Sequence, residues 1–489
     1  MSLVQSADPI LPNMNKTILF LLVALAVKCT QAQDNLGIAG STRSPINTVW
    51  NNPSTIVDSR AFIDFQLAGF NVFAKNDLVY LNGKELSKDN FDTMTTVPLN
   101  KKNTPYSAFL DIQVGGPSVA FAIKQHAFAF STSARVMADV RGVSSRIHDW
   151  AQNGFDSPSE KNKLNTIRNI RTNVLAWGEL GCTYGTIIQR QGLSITQGAI
   201  TVKRLLGYAG AGIRLDSWTY KILDNSAIET QEFAGEYGFN DPTTAYINGT
   251  GWGADIGFTH KVRHKHSEDY VPHSPCTDGD YLYRFGVSLI DVGRIKFKEP
   301  FYTNTFSQNQ STMWENYQST QAYDINGVDS LINNNFQLVK DNSHLTKYTM
   351  LLPTAISAQA DFNLISNFYL YGAITYGVPW LNQLGVQRSG YLGVAPRWET
   401  KRFEASLPVS LYQFKKPQAG ICLRLNSVII GSDDIMSILF KKKIYGADFY
   451  FSLKYTIFKH WKCGERAKRI APKNTVGGAP PRPCPAWER

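Results

Sequence analysis

The sequence predicts an all-β chain that closes into an antiparallel transmembrane β-barrel with long extracellular loops, and three observations predict it. Side chains alternate between apolar and polar with period two over many segments. Those segments run mostly 9 to 14 residues, longer than the roughly 5 or 6 usual in globular proteins and close to the ~9–11 that a tilted strand needs to cross an outer membrane. Short turns alternate with long polar insertions, the layout of a barrel with tight turns on one rim and long loops on the other.

Composition agrees. Of 489 residues, 50 are Lys or Arg and 39 are Asp or Glu, a formal charge of +11. Charged residues make up 18% and aromatic ones 12%, too few and too many respectively for a disordered chain. A mean hydropathy of −0.22, with no apolar stretch of about 20 residues, excludes a helical membrane protein. A secreted β-sandwich that binds glycans is the soluble rival, and strand length argues against it.

The segments follow in order. Residues 1–13 read as an upstream mis-start. Met14-Asn15-Lys16, the apolar run Thr17–Val27 and the small-residue end Thr30-Gln31-Ala32 make 14–32 a secretory signal peptide. The mature chain then begins at Gln33. In Ala61–Phe73 the residues Ile63, Phe65 and Leu67 alternate with Asp64 and Gln66. In Ala108–Val114 one face is Ala108, Leu110, Ile112 and Val114; Gly115-Gly116-Pro117-Ser118 is read as a turn, and Val119–Ser131 as the returning strand. Trp252, Ala254, Ile256 and Phe258 alternate with Gly253, Asp255 and Gly257. Further strands are expected at 174–190, 198–208, 211–223, 281–294, 350–362, 367–378, 390–398, 402–413, 419–430 and 446–458. The tally is 13 to 15, with one pair misread between 430 and 446. Short turns fall at 398–402 and 415–418, and long insertions at 82–105, 136–173, 224–250 and 298–346. Trp177, Tyr281, Tyr283, Trp380, Tyr391, Trp398, Tyr455 and Phe458 are assigned to aromatic girdles at the membrane surfaces.

The barrel unit is 33–458, which carries +4, and the tail 459–489 carries +6. Basicity confined to a tail leaves no nucleic-acid footprint on the body. Pro472, Pro480, Pro481, Pro483 and Pro485 bar regular structure from that tail. It is a periplasmic extension that binds acidic headgroups, peptidoglycan or a periplasmic partner, or is simply solvated.

Among chemistry-bearing residues, His264, His266, His273 and Cys276 are candidate metal ligands, although their spacing matches no standard closed site and a polar loop explains them. Cys463 and Cys484 could close a disulfide in an oxidising compartment; Cys182 and Cys422 read as inert strand residues. Asp64, Gln66, Asp255, Arg284 and Lys203 are assigned to the lumen face, where they line a wet interior or pair across it. No nucleophile elbow, phosphate loop or His-Glu-x-x-His occurs, so no catalytic residue and no cofactor is expected and the chain is read as a non-enzyme.

Several phrases carry a resemblance: Gly40 with Asn52-Pro53-Ser54 and Asp58, Tyr283–Gly293, Leu352-Pro353-Thr354-Ala355-Ile356, Gly393–Trp398 and Arg424–Ser432. Together they resemble a Bacteroidota outer-membrane family without assigned function, related to the FadL hydrocarbon-transporter barrels. The resemblance covers most of 35–458 and implies about 14 strands and an outer-membrane location. Asn52-Pro53-Ser54 resembles the Asn-Pro-Ala of the FadL plug region. No clear apolar hatch precedes the first strand, so inward plugging is not expected. The expected function is passive transport or binding of a hydrophobic or small solute. The alternative is a non-transporting barrel that serves an envelope or secretion-system assembly. Expected partners are outer-membrane lipid and periplasmic or secretion-machinery proteins.

Overall fold

The computed structural model describes residues 35–458 except 58, 78, 83–93, 97–104, 145, 148–160, 224–226, 241, 243–246, 264–280, 299, 309, 316–337, 341–347, 366, 380–382 and 437–442. Structural statements below concern the described residues.

Fourteen staves form a closed antiparallel barrel. In chain order, β1 is Ile63–Asn76, β4 (Tyr106–Gly115) and β5 (Ser118–Ile123) are two halves of one stave, β6 is His126–Val143, β7 Leu164–Gln191 and β8 Ser194–Ile222. Next come β10 (Gly249–Val262), β11 (Tyr283–Phe297), the divided stave β15 (Tyr348–Leu351) and β16 (Ala355–Ile365), β17 (Phe368–Gly377) and β18 (Tyr391–Glu399). The divided staves β19 (Phe403–Ser406) with β20 (Val409–Tyr412), and β21 (Lys416–Ala419) with β22 (Ile421–Leu425), precede β23 (Val428–Ser432) and β25 (Gly446–Ile457). Closure is direct, because β25 pairs with β1 from Ile63 opposite Ile457 to Lys75 opposite Gly446. A closed ladder leaves no unpaired edge in lipid, the condition for a spanning sheet.

The outer face is apolar around the whole circuit. Phe130, Leu180, Val202, Ile256, Val287, Ile356, Ile374, Leu392, Leu411 and Ile430 point outward and are exposed, as lipid-facing residues of a barrel must be. Both barrel ends, Ile63 and Ile457, lie at the rim where the tight turns 124–125, 192–193 and 426–427 sit. We call this the terminal rim and the opposite one the loop rim. Beyond the loop rim the sheet continues. With 28 and 29 residues, β7 and β8 outrun any bilayer; at ~3.3 Å per residue each is about 90 Å long. Their projecting ends join β9 (Ile228–Asn240), which pairs with β12 (Phe301–Gln308) and β13 (Thr312–Trp314), and β12 pairs with β14 (Leu338–Lys340). Phe233, Tyr237, Phe239 and Phe306 form the core of this projecting sheet. Outside the wall, β2 (Val79–Asn82), β3 (Met94–Thr96) and β24 (Lys443–Ile444) make a small separate sheet.

Several local expectations are corrected. Gly115–Ser118 is a break within one stave rather than a turn: Gln66 pairs with Ser118 and Gly69 with Gly115, so the wall runs on across it. Pro117 supplies no ladder donor, and β1 bulges at the same height, between Gln66 and Ala68. That extra residue reverses the phase of β1, whose lumen face moves from Asp64 and Gln66 to Asn71, Phe73 and Lys75. The segments 198–208 and 211–223 are one strand, and 136–173 and 224–250 hold strand where insertions were expected. The parity error does not lie between 430 and 446. It lies at these two misread joins, at Val119–Ser131, which was read as one strand but turns at 124–125 between β5 and β6, and at 419–430, a hairpin that reverses through Asn426 at φ 51°, the left-handed geometry that Asn tolerates in two-residue turns. The aromatic girdle is also only partly as expected. Trp398 and Tyr455 face outward, whereas Trp177 and Tyr391 are buried on the inward phase of their staves, and Tyr281, just ahead of β11, is buried with its hydroxyl donating to Asp361.

Candidate functional site

The lumen is filled, and its filling begins with the residues ahead of β1. Residues 35–62 run inside the barrel down to the terminal rim, which corrects the expectation of no inward plug. The segment is not strongly apolar, which is why a search for an apolar hatch misses it. Two one-turn helices, α1 (Leu36–Ala39) and α2 (Pro45–Thr48), precede a 3₁₀ turn over Pro53–Ile56. Pro45 and Pro53 open their turns where no donor is lost, and the Asn52 side chain caps the second by accepting from the Ser54 amide at 3.0 Å.

Polar contacts tie this plug to strands on all sides. Leu36 and Gly37 amides donate to Asp433 at 2.6 and 3.1 Å. Ser41 donates to Glu404 at 2.8 Å, and Arg284 donates to the Gly40 carbonyl at 2.8 Å. Lys454 donates to the Arg43 carbonyl at 2.9 Å and pairs with Asp64 at 3.1 Å. Asn52 donates to Gln359 at 2.8 Å, Ser54 shares a 2.6 Å hydrogen bond with Thr259, and Gln197 donates to the Ser54 carbonyl at 3.1 Å. The plug's apolar residues meet two kinds of wall: Ile46, Val49, Ile56 and Val57 rest on Ala120, Ala122, Ala127 and Ala129, whereas Leu36 packs on Tyr371 and Tyr391, and Ile38 on Ile429 and Tyr450. Gly257 has the same role as those alanines, since a Cβ there would stand 2.1 Å from Asn52 Oδ1 and 2.8 Å from Pro53 Cδ. The gap between plug and wall near Asn52, Gln359 and Arg284 has room for roughly one water molecule.

Above the plug lies an ion cluster. Asp291 sits at φ 55°, in a bulge where Ala254 pairs with Val292 and Ile256 with Leu289. A non-glycine residue in that region is strained and held by its surroundings. Its carboxylate accepts from Arg135 at 3.0 Å, Lys203 at 2.7 Å and Arg388 at 2.8 Å. Lys203 also pairs with Asp255 at 2.8 Å, and Arg135 stacks on Trp177 with its guanidinium carbon 4.9 Å from the ring centre. Every one of these groups is buried, so each charge depends on its partners to offset lost hydration.

Higher still, part of the β17–β18 connection folds into the barrel from the loop rim. Leu384 and Val386 join Phe73, Phe109, Met137, Leu175, Leu205, Ile295, Phe297, Met350 and Leu352 in an apolar plate across the lumen. The inserted chain is fixed by the Leu351 amide donating to the Leu384 carbonyl at 3.1 Å, and the Gln387 amide donating to Asp139 at 3.0 Å. Arg388 of the same segment reaches down to Asp291 and so links plate and ion cluster.

The residues assigned to the lumen from sequence are found in two places. Asp64, Gln66 and Arg284 contact the plug, with Gln66 accepting from Asn47 at 3.0 Å, while Asp255 and Lys203 belong to the ion cluster. They pair with other side chains and do not line open water. Cys182 lies on the outer face and Cys422 is buried. His264, His266, His273, Cys276, Cys463 and Cys484 lie outside the described residues, as do 1–32, Trp380 and the tail 459–489. Sequence reasoning missed Asp291, Arg135, Arg388, Asp361 and Arg397. Asp361 accepts from Arg284 at 2.8 Å and from Arg397 at 3.1 Å. For Arg135, Asp361 and Arg397, charge on the inward phase of a strand was the available signal; Asp291 lies in a bulge and Arg388 in a connection, and neither is marked that way.

Among solved structures the chain is similar to a TodX deltaS2S3 mutant monoaromatic hydrocarbon channel, at 8% identity and a TM-score of 0.40 over 88% of this chain and 98% of that one. It is also similar to a Pseudomonas aeruginosa FadL homologue, at 10% identity and 0.30 over 88% and 99%, and to the P. putida toluene transporter TodX, at 9% and 0.30 over 85% and 94%. No curated protein sequence matches it. The description that matches by sequence is a family of unknown function, DUF5723, over residues 53–433. With more than three-quarters of its length matched, the chain belongs to the DUF5723 family.

Proposed function

We propose that the protein is an outer-membrane transporter, closed at rest, that passes a hydrophobic or small solute when its N-terminal plug shifts. The terminal rim faces the periplasm, and the loop rim with its projecting sheet faces outward. The observation that supports this reading is how the plug is held. Its bonds to the wall are hydrogen bonds and ion pairs from side chains of many staves, and from Pro45 to Val57 they are laid over alanine and glycine. Such bonds exchange with water at a modest net change in free energy, about 0.5–1.5 kcal/mol for a neutral hydrogen bond and about 1.5–3 kcal/mol for one to a charged group. Over residues 45–57 a plug so held can leave the wall without uncovering large wall side chains, while Leu36 and Ile38 stay anchored on Tyr371, Tyr391, Ile429 and Tyr450. A lumen filled for rigidity alone would be sealed by large interlocking side chains throughout, as the upper plate is.

The test is conductance in planar bilayers together with solute flux into liposomes. Wild type is expected to be silent most of the time with brief openings. Gly257→Val drives a methyl group against Asn52 and Pro53 and is expected to raise the open fraction at least tenfold. If both proteins are equally silent and carry no solute into liposomes, the transport reading fails.

A further inference from the structure

On the outward face of the wall, near the loop rim, the side chains change from apolar to cationic in a single step. Val202 of β8, Ala254 of β10 and Val292 of β11 are directly paired neighbours, and all three point to lipid. Two residues nearer the loop rim, the corresponding row is Arg204, Trp252 and Arg294. Lys296 follows on the same phase of β11. The residues between them fix this outward direction, because Lys203, Leu205, Ile295 and Phe297 are buried on the lumen side. Trp252 is 61% exposed. Arg204 lies over its ring with the guanidinium carbon 5.1 Å from the centre, and donates to the Gly251 carbonyl at 3.3 Å. Arg294 and Lys296 are exposed and meet no carboxylate among the described residues. Near the terminal rim, Phe285 packs edge-on against Phe362 at 5.7 Å and marks the lower end of the outward apolar face of β11. From Phe285 to Arg294 a stave tilted by ~40° rises about 23 Å, close to the ~25 Å height of the apolar band on an outer-membrane barrel. The cationic row therefore stands at headgroup level in the leaflet at the loop rim.

We infer that Arg204, Arg294 and Lys296 bind the phosphate monoester headgroup of a lipid in that leaflet, the outer one in the orientation proposed above. Two guanidinium groups flanking an indole give forked donors for phosphate oxygens. Trp252 adds the amphipathic ring that favours the headgroup boundary. The acyl chains lie on Val202, Ala254 and Val292 and, lower, on Ile256 and Val287. Cations on a lipid-facing wall are unfavourable unless they reach the interface. Three together without an opposing carboxylate call for an anion supplied by the membrane itself. A free anion has the charge but no chains to hold it against the apolar row. The site lies outside the wall and does not need the barrel to conduct, so it goes beyond the transport reading.

Native mass spectrometry of the purified, full mature barrel, released from detergent with an equimolar mixture of phosphatidic acid and phosphatidylcholine of the same chains, tests it. Phosphatidic acid, the simplest lipid with a phosphate monoester, is expected to be retained at least fivefold more than phosphatidylcholine. The double variant Arg294→Gln with Lys296→Gln is expected to abolish that preference. The double variant Lys124→Gln with Arg190→Gln removes the same charge from exposed positions at the terminal rim and is expected to keep it within twofold. If the first double variant does not fold, Arg294→Gln alone is expected to halve the preference. A tenfold excess of inorganic phosphate is expected to leave the lipid bound. Equal retention of both lipids, a preference unchanged in whichever Arg294 variant folds, equal loss in the terminal-rim variant, or displacement by inorganic phosphate overturns the inference. Bilayer conductance separates the two readings: a barrel that retains phosphatidic acid but never conducts sinks transport alone, and one that conducts without that preference sinks the lipid site alone.

Discussion

The two halves of the lumen are filled by different chemistry. Below Asp291, the plug meets the wall through Ser, Thr, Asn, Gln and charged side chains, and over residues 45–57 its apolar residues rest on alanines. Above Asp291, Leu384 and Val386 interlock with large side chains of many staves. Opening the upper half exposes apolar surface at about 25 cal/mol per Å², whereas opening the lower half exchanges one set of hydrogen bonds for another with water. The lower half is therefore the part suited to move, and the upper half is the part that fixes the barrel's cross-section. Asp291 joins them, because it holds Arg135 and Lys203 of the wall and Arg388 of the inserted segment.

The largest effect should come from that joint. Asp291→Asn keeps a side chain that tolerates the left-handed backbone but removes the charge around which three cations are gathered. Breaking a buried ionic cluster this way costs about 3–5 kcal/mol, measurable as urea unfolding in micelles. A loss below about 1 kcal/mol would mean that Glu179, 3.8 Å from Arg135, and Asp255, 2.8 Å from Lys203, suffice to hold those two cations.

Next is a matched pair, one variant from each half. Leu384→Ala empties part of the plate and should cost about 3 kcal/mol of stability with no gain in conductance. Ser54→Ala removes hydroxyl contacts to Asn52 and Thr259, and should cost only about 1 kcal/mol while raising the open fraction in bilayers. If Leu384→Ala opens the channel and Ser54→Ala does not, the division of labour between the halves is the reverse of the one argued here.

The two halves also differed in how far they could be read from sequence. The wall was legible because alternation with period two is a property of each segment alone: Phe65, Leu67 and Phe258 face outward as their spacing requires. Breaks in the wall were not legible. Gly115-Gly116-Pro117 is written in turn residues, yet it continues a strand because β1 bulges beside it, and that pairing joins residues roughly fifty apart in the chain. The plug was hidden for a similar reason. Asn47, Asn52 and Ser54 are ordinary loop residues until Gln66, Gln359 and Thr259 are brought opposite them. The anionic centre Asp291 shows the limit most clearly. Its role comes from one strained residue that turns its side chain inward, and no periodicity marks that residue beforehand.

The smallest effect belongs to an ion pair of the same composition placed at the rim. Lys416 and Asp77 meet at 2.5 Å, but both side chains are about 30% exposed. In water, with screening, such a pair contributes about 0–1 kcal/mol. Lys416→Met should therefore change urea stability by less than about 1 kcal/mol and leave conductance unaltered. Placed beside Asp291→Asn, it sets one exposed carboxylate–cation contact against a buried carboxylate that gathers three cations. A loss at Lys416 as large as that at Asp291 would show that pairing itself, and not removal from water, gives the lumen cluster its weight. The energetic contrast between lumen and rim would then have to be abandoned.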